Sequence, residues 1–274
     1  MIDLHSHTLH SDGQRSPDEL VSEAVAAGVK VLSLTDHDTV SGIADATASA
    51  TRRGIRLVPG IELSCELHGR EVHILGHFLD PCSGTLLQLA ADMLAERRER
   101  MERMVGRAQD AGFKQVTMER VIAASGGENL GRPHLARALV DCGHAKNVKD
   151  AFDRFLHSRG PLWVDRRRLS VAEAVGLVRG AGGTSSIAHP GANAVSRQEL
   201  RVCAEAGLDA VEALHPDHVP TQVEAYERWA AELQLLVTAG SDYHGPAVQP
   251  GRKLGDRTLS AERFVALEER SRRR

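Results

Sequence analysis

Short apolar runs alternate along this chain with stretches whose apolar positions recur at three- and four-residue spacing, first over residues 1–81 and again from about residue 160 onward. The runs predict buried strands and the longer spacing predicts amphipathic helices. Val31-Leu32-Ser33-Leu34-Thr35 reads as a strand, as do the run ending at Glu62 and the segment 71–78. Ser16-Pro17-Asp18-Glu19 is a capping box with proline in the first turn, so a helix starts there and stops at Gly28. A second helix covers about 41–53 and is closed by Gly54. Beyond residue 160, helices over Val171–Ala181, Glu199–Ala206 and Val223–Leu233 alternate with strands Thr184–Ala188, Ala210–Leu214 and Leu235–Ala239. This order predicts a parallel α/β barrel, a fold that gathers its functional groups at the C-terminal ends of the strands. Residues 82–158 break the rhythm with helical patterns and no strand, which predicts an inserted helical subdomain in a barrel formed by 1–81 and 159–274.

The strand ends carry an unusual load of ligand-type side chains. His5-Ser6-His7 and Asp242-Tyr243-His244 each place two at i,i+2 spacing, on one face of a strand. Asp12 lies one loop beyond the first pair, His37 follows the strand ending at Thr35, Glu62 closes an apolar run, His73 sits within Val72-His73-Ile74-Leu75, and His189 ends Ser186-Ile187-Ala188. Charged groups and imidazoles are costly to bury unpaired, so their recurrence at strand ends points to one shared destination, a polynuclear metal site. Imidazole with carboxylate and no nearby cysteine suits Mn²⁺, Zn²⁺ or Fe²⁺.

Bulk composition narrows the picture only slightly. With 274 residues and 42% hydrophobic content, the chain is long enough for one large barrel. A formal charge of −3 offers no global attraction to nucleic acid, and 3% aromatics make an extended single-strand binding surface improbable. Cys65, Cys82, Cys142 and Cys203 form no CxxC pair and read as reduced, buried thiols. There is no signal-peptide pattern at Ile2-Asp3-Leu4 and no long apolar run, so a cytoplasmic location without membrane contact is expected. His10, His68, His77, His144 and His157 read as ordinary histidines, and Trp163 and Trp229 as packing residues. Arg166-Arg167-Arg168 reads as a solvated turn with a weaker claim on RNA, and the Arg272-Arg273-Arg274 tail as frayed.

The motifs, taken in order, resemble those of the polymerase and histidinol phosphatase (PHP) family of metal-dependent phosphoesterases. His5-Ser6-His7 with Asp12-Gly13, Thr35-Asp36-His37-Asp38, Ala188-His189-Pro190-Gly191 and Ser241-Asp242-Tyr243-His244 are similar to its four motifs, and Gly60-Ile61-Glu62 and Val72-His73-Ile74-Leu75-Gly76 to its intervening ligand segments. The resemblance implies a distorted (β/α)7 barrel of the PHP type with an inserted helical lid. It also implies two or three divalent ions: His5, His7, Glu62 and Asp242 on one, Glu62, His73 and His189 on a second, and Asp12, His37 and His244 on a third. Mn²⁺ is the first choice among them. The Ser11-Asp12-Gly13 turn, Arg132-Pro133-His134 and the chain length look most similar to nucleoside 3′,5′-bisphosphate phosphatases, some of which trim short RNA from the 5′ end. Histidinol phosphatases of the family more often carry His where this chain has Asp12.

The expected chemistry is in-line attack on phosphorus by a hydroxide bridging the metals. Asp12 and His37 belong to that catalytic centre, with His218, or His215, protonating the leaving group. Asp3, Asp36 and Asp38 are candidates to orient the ligand imidazoles. Arg97, Arg100, Arg132, His134 and Arg159 would hold the second, non-reacting phosphate of a small nucleotide or of short RNA. No obligate protein partner is inferred. The rival readings are a histidinol-phosphate or other small phosphomonoesterase and, from another class, a metal-binding module that senses a nucleotide without hydrolysing it.

Overall fold

Ser–Glu capping boxes at Ser16/Glu19, Ser170/Glu173 and Ser196/Glu199 set where helices begin: each serine hydroxyl accepts the glutamate N–H, and each glutamate carboxylate accepts the serine N–H at 2.7–2.9 Å. The computed structural model describes residues 1–125, 129–165 and 168–273. In chain order the elements are β1 (Ile2–Asp3), α1 (Pro17–Ala26), β2 (Val31–Leu34), α2 (Ile43–Arg53), β3 (Arg56–Leu67), β4 (Arg70–His77), α3 (Gly84–Asp110), α4 (Met118–Ser125), α5 (Arg132–Asp141) and α6 (Val148–Ala151). A π-helical turn (Phe152–Leu156) leads on to β5 (Leu169–Ser170), α7 (Val171–Gly180), β6 (Thr184–Ile187), α8 (Arg197–Glu205), β7 (Ala210–Leu214), α9 (Pro220–Glu232), β8 (Leu236–Ala239) and α10 (Ala261–Arg272).

The strands pair in the order β1-β2-β3-β4-β6-β7-β8, with β5 attached to β3. Beyond the last strand the ends meet: Leu4 N–H donates to Ala239 C=O at 3.1 Å, Asp242 N–H to His5 C=O at 2.9 Å, and Ser6 bridges Tyr243. Seven strands therefore make a nearly closed barrel. Gly240 permits the closure, because a Cβ there would collide with the His5 side chain and lie 2.7 Å from the His5 nitrogen. Helices cover the outside, packing Leu20, Val21, Ala174 and Val178 onto a core that includes Ile61, Ile74 and Ile187.

Two features depart from the sequence reading. The sheet is not wholly parallel, since β4 runs antiparallel to both β3 and β6. Nor does β3 stop at Glu62; it continues to Leu67, so Glu62 and His73 lie within strands rather than at their ends. In this register Glu62 faces Leu75 and Ser64 faces His73. Side chains alternate along a strand, so Gly60, Glu62 and Ser64 share a face with His73, Leu75 and His77. That face carries the polar groups.

Between β4 and β5 the helices gather around a hydrophobic cluster of their own, built from Met101, Met104, Leu135, Leu139, Leu156 and Leu162 among others. Helix α3 is 27 residues long, and its Arg97 and Arg100 are buried rather than solvated. The exposed Arg98–Glu102 pair is the kind the charged segment predicts. Arg166, Arg167 and Arg274 lie outside the described residues. Arg168, expected in a solvated turn, has a side chain only 8% exposed. Of the other tail residues, Arg272 ends α10 and pairs with Glu268 at 3.0 Å, and Arg273 follows the helix and pairs with Glu269 at 3.3 Å. All four cysteines are free; Cys65 and Cys203 are buried as expected, but Cys82 is exposed and Cys142 half-buried. Among the described residues no helix is long and apolar enough to cross a membrane.

Replacing Gly240 by alanine is expected to destabilise the fold by about 1–3 kcal/mol, the usual cost of forcing an extra methyl into a packed interior. Chemical denaturation checks this; an unchanged midpoint would show that β8 and β1 can separate freely.

Candidate metal centre

Barrel closure places the ends of β1, β2, β6 and β8 around one point, and the inward faces of β3 and β4 supply its floor. All nine residues read as metal ligands meet there. Their donor atoms form four interlocked groups, each within 4.8 Å: His7, Asp12, His37 and His244; His5, Glu62 and His189; His5, His7 and Asp242; and His37, Glu62 and His73. Glu62 is the hub. Its Oε2 lies 3.3 Å from His5 Nε2, 3.1 Å from His7 Nε2 and 3.2 Å from His37 Nδ1, and its Oε1 lies 2.8 Å from His73 Nδ1 and 3.1 Å from His189 Nε2. Asp242 Oδ1 stands 3.3 Å and 3.4 Å from the same nitrogens of His5 and His7. His189 and Asp242 adopt φ of 29° and 51°, strained values for non-glycine residues, and in each the strain accompanies a side chain aimed into the cluster.

The electrostatics favour a cation. Burial alone would push the Glu62 carboxyl up, but the surrounding His37, His73 and His5 and a hydrogen bond from His189 hold it well below its ordinary value. Burial likewise opposes ionisation of Asp12 and Asp242, yet His244 and His37 hold Asp12 low, as His5 and His244 hold Asp242. Burial takes His37 down to about 3, so its ring is neutral and one of its two nitrogens offers a lone pair. His7 resists burial and rises to about 10 through hydrogen bonds to Asp242 and Glu62. His5 Nε2 and His7 Nε2 stand only 3.1 Å apart, and two ring nitrogens that close need a proton or a cation between them. Asp12 Oδ1 and His37 Nδ1 are buried without a well-aligned hydrogen bond among the described residues, although His244 Nε2 and Glu62 Oε2 stand only 3.1 and 3.2 Å from them. Unsatisfied donors, ionised carboxylates and the absence of sulfur within the groups together fit hard or borderline divalent ions.

The side chains that orient this cluster are mostly not those expected. Asp3 accepts backbone N–H groups from Ser241 and Gly255, Asp36 accepts from Thr8 and Ser11, and Asp38 from Ser64 and Arg97, so all three secure loops rather than ligand rings. Glu212 takes the orienting part. Its Oε1 is 3.0 Å from His5 Nδ1 and its Oε2 accepts the His189 N–H at 2.7 Å. Against burial, the charge and hydrogen bond of His5 bring Glu212 down to about 2. Arg252 donates to Asp242 Oδ2 at 3.1 Å, and His215 Nε2 lies 3.4 Å from the same oxygen. His77, read as ordinary, is fully buried beneath the cluster, 3.3 Å from Ser33 Oγ. No local motif marks Arg252, and only the position of Glu212 inside a strand-like run hints at its burial.

His218 corrects a catalytic expectation. Its Nδ1–H donates to Ala213 C=O at 2.9 Å and its Nε2 accepts the Gly191 N–H at 2.9 Å, so neither nitrogen is free to protonate a leaving group. His215 Nδ1 accepts the Asp217 N–H at 3.2 Å, and its Nε2 faces Asp242 Oδ2 at 3.4 Å.

Beside the cluster a cavity of about 190 Å³ is lined by Asp12, His37, Glu71, Arg97, Arg100 and Arg132, among others. A larger one of about 750 Å³ shares Glu71, His73 and Arg132 with it and extends to Trp163, Arg168 and Asn193. Of the residues expected to bind substrate, Arg132 fits best: it stacks 4.9 Å from the Trp163 ring and 5.7 Å from the Phe152 ring, and among the described residues its polar contacts are long, 3.5 Å to Leu156 C=O and 3.8 Å to Glu71. Trp163, expected to serve only packing, also carries Arg100 at 5.0 Å. Arg97 is largely committed to a buried ion pair with Asp38, and Arg100 donates to Val164 C=O at 2.7 Å. His134 is fully buried, accepts the Gly131 N–H at 3.0 Å, and is held neutral by burial with its value down to about 4, so it caps α5 rather than offering positive charge. Arg159 is exposed, and its neighbour Ser158 lines the larger cavity instead. Arg137 was not anticipated; it donates to the Asp12 C=O at 3.4 Å and ties α5 to the loop that carries Asp12.

Glu212→Gln is expected to lower metal affinity ~10–100-fold, the usual cost of losing the partner of a ligand imidazole. Elemental analysis after dialysis against graded metal buffers measures it, and wild-type uptake by the variant would remove Glu212 from this role.

A family model described as PHP domain matches residues 3–106. The chain is 33% identical over 258 residues to the 3′,5′-nucleoside bisphosphate phosphatase of Chromobacterium violaceum, covering 93% of this chain and 90% of that protein. It is 32% identical over 262 residues to the 5′-3′ exoribonuclease Rnm of Escherichia coli, with 93% and 89% covered. Among solved structures, a protein from Bifidobacterium adolescentis assigned as a metal-dependent phosphoesterase superposes with a TM-score of 0.89 at 32% identity, over 98% of this chain and 95% of that one. A Chromobacterium violaceum amidohydrolase with bound sulfate and no metal gives 0.88 at 31%, over 98% and 96%. With such agreement along nearly its whole length, and with this donor cluster at its centre, the chain belongs to the PHP family of phosphoesterases.

Proposed function

We propose that this protein removes the 3′-phosphate from nucleoside 3′,5′-bisphosphates and trims short 5′-phosphorylated RNA from its 5′ end. The observation that carries the reading is the adjacency of a nine-residue nitrogen and oxygen donor cluster to a cavity lined by Arg132 and Arg168. A bisphosphate needs two anion sites, and these are two. The names borne by the Chromobacterium violaceum and Escherichia coli relatives point the same way.

In this reading His5, His7, Glu62 and Asp242, then Glu62, His73 and His189, and finally Asp12, His37 and His244 hold the ions, with Mn²⁺ preferred for a mixed imidazole and carboxylate set. Bound divalent ions supply Lewis acidity at the phosphoryl oxygens and lower the pKa of coordinated water. The chain's own residues do the rest. Glu212 and Asn193 hold His5 and His189 in fixed orientation, at 3.0 and 3.4 Å from their Nδ1 atoms. Arg252 and His215 occupy one side of the Asp242 carboxylate and leave Oδ1 toward the cluster. Arg132, backed by Trp163, meets the second phosphate with charge-assisted hydrogen bonds, and Arg168 extends the positive wall. The volume beyond one phosphate leaves room for a following nucleotide. Residues 82–158 serve as the lid that brings Arg132 to the barrel mouth, and the four free cysteines accord with a cytoplasmic setting.

Phosphate release with Mn²⁺ from adenosine 3′,5′-bisphosphate, histidinol phosphate and an aryl phosphate tests the reading. The bisphosphate is expected to be turned over best, and preference for histidinol phosphate, or no release from any of the three, would overturn it. Arg132→Ala should raise KM for the bisphosphate ~10- to 100-fold, the loss of one charged hydrogen bond of about 1.5–3 kcal/mol, with little change for the aryl phosphate. Equal effects on both substrates would remove Arg132 from the anchoring role. Chelation should abolish activity, and Mn²⁺ should restore it.

A further inference from the structure

A 5′-phosphate held by Arg132 and Arg168 is the same group before and after a 3′-phosphate is removed. Such an anchor binds substrate and product alike, so every gain in substrate affinity also slows product departure. The cavity contains a counterweight. Glu71, on β4 two residues before His73, reaches across the wall between cluster and cavity. Its Oε2 lies 3.3 Å from Arg168 Nη2 and 3.8 Å from Arg132 Nη2, while its Oε1 lies 3.3 Å from His73 Nε2. The arginines are otherwise well furnished to bind an anion. Among the described residues Arg168 Nε is buried without a hydrogen-bond partner, and the polar contacts of Arg132, which lies above the Trp163 ring, are all long.

We propose that Glu71 is a built-in competitor for the anion seat, a carboxylate that partly neutralises Arg132 and Arg168 so that the 5′-phosphorylated product is released. The proposal rests on the reading of this cavity as the seat of the second phosphate. Its physical content is simple: a fixed negative charge beside two guanidinium groups lowers the positive potential that a phosphate experiences, and lowers it more for a dianion than for a monoanion. The neighbouring Asp165, 3.1 Å from Arg168 Nη1, is largely exposed and therefore better screened. Glu66 and Asp165 line only the larger cavity and Asp12 only the smaller, whereas Glu71 stands at the junction of the two.

Titration calorimetry of adenosine 5′-phosphate into the full-length protein tests this, comparing wild type with Glu71→Gln and Glu71→Asp. The product carries no 3′-phosphate, so equilibrium binding is read without turnover. Glu71→Gln is expected to bind it roughly tenfold more tightly, with a smaller gain for its singly charged methyl ester, whereas Glu71→Asp stays within about twofold of wild type. In turnover of the bisphosphate, Glu71→Gln should show a lower KM and stronger inhibition by product. Unchanged or weaker binding of adenosine 5′-phosphate by the Gln variant overturns the proposal, and a drop in metal content without a change in that binding would assign Glu71 to positioning His73 instead. Should the Gln variant not fold, Glu71→Ser carries the same expected direction. A wild-type protein that neither releases phosphate from the bisphosphate nor binds adenosine 5′-phosphate would sink the functional reading itself; one that does both, with no tightening in the Gln variant, sinks only the part given to Glu71.

Discussion

Glu62, with 1% of its side chain exposed, has five imidazoles against its two carboxylate oxygens. A carboxylate removed from water to that extent is tolerable only because positive or polarised groups surround it, and those groups come from the segment after β1, the loop after β2, β4 and the loop after β6. The barrel must therefore close to satisfy it. Strand order, the approach of Gly240 to His5 and the left-handed backbone at Asp242 all serve this one convergence. The centre and the fold share a single constraint, because separating the strands would strand a buried charge.

The fold was legible in proportion to how local its signals are. The capping box at Ser16 involves residues three apart, and apolar runs such as Val31–Leu34 identify themselves; the boxes at Ser170 and Ser196, just as local, are seen only in the structure. The nine donors were legible for a related reason: i,i+2 pairs and strand-end placement expose chemistry to a reader of one dimension. Direction was not. An apolar run such as that around His73 is the same whether its strand lies parallel or antiparallel, so the reversal of β4 and the extension of β3 past Glu62 could not be read from pattern. Groups that act across the barrel were equally hidden. Glu212 touches His5 from 207 positions away, and Arg252 reaches Asp242 from a loop with no pattern of its own.

The helical segment shows why charge in a sequence is a poor guide to its use. Arg97, Arg98 and Arg100 lie within four residues of one another, yet one holds Asp38 in a buried ion pair, one makes an exposed pair with Glu102, and one stacks on Trp163. Helical rotation sends them to different faces, and only the faces determine their tasks. The Arg97–Asp38 pair also anchors α3 to the loop that carries His37, so the segment that lines the cavity is mechanically tied to the cluster.

The antiparallel pairing of β3 with β4 has a consequence for how this protein can change. His73 and Glu71 occupy alternate positions on one strand and thus one face, so the cluster and the arginine-lined cavity are addressed from a single ladder. A slip of one residue in that ladder would turn both side chains outward and bring Val72 and Ile74 inward. The connection at His68 and Gly69, both at positive φ, is a tight turn that holds this register, whereas the connection between β4 and β5 carries the helices that form the far wall of the cavity. One wall of the cavity is thus fixed by the same hairpin that positions His73, and the opposite wall is built by helices that lie outside the sheet.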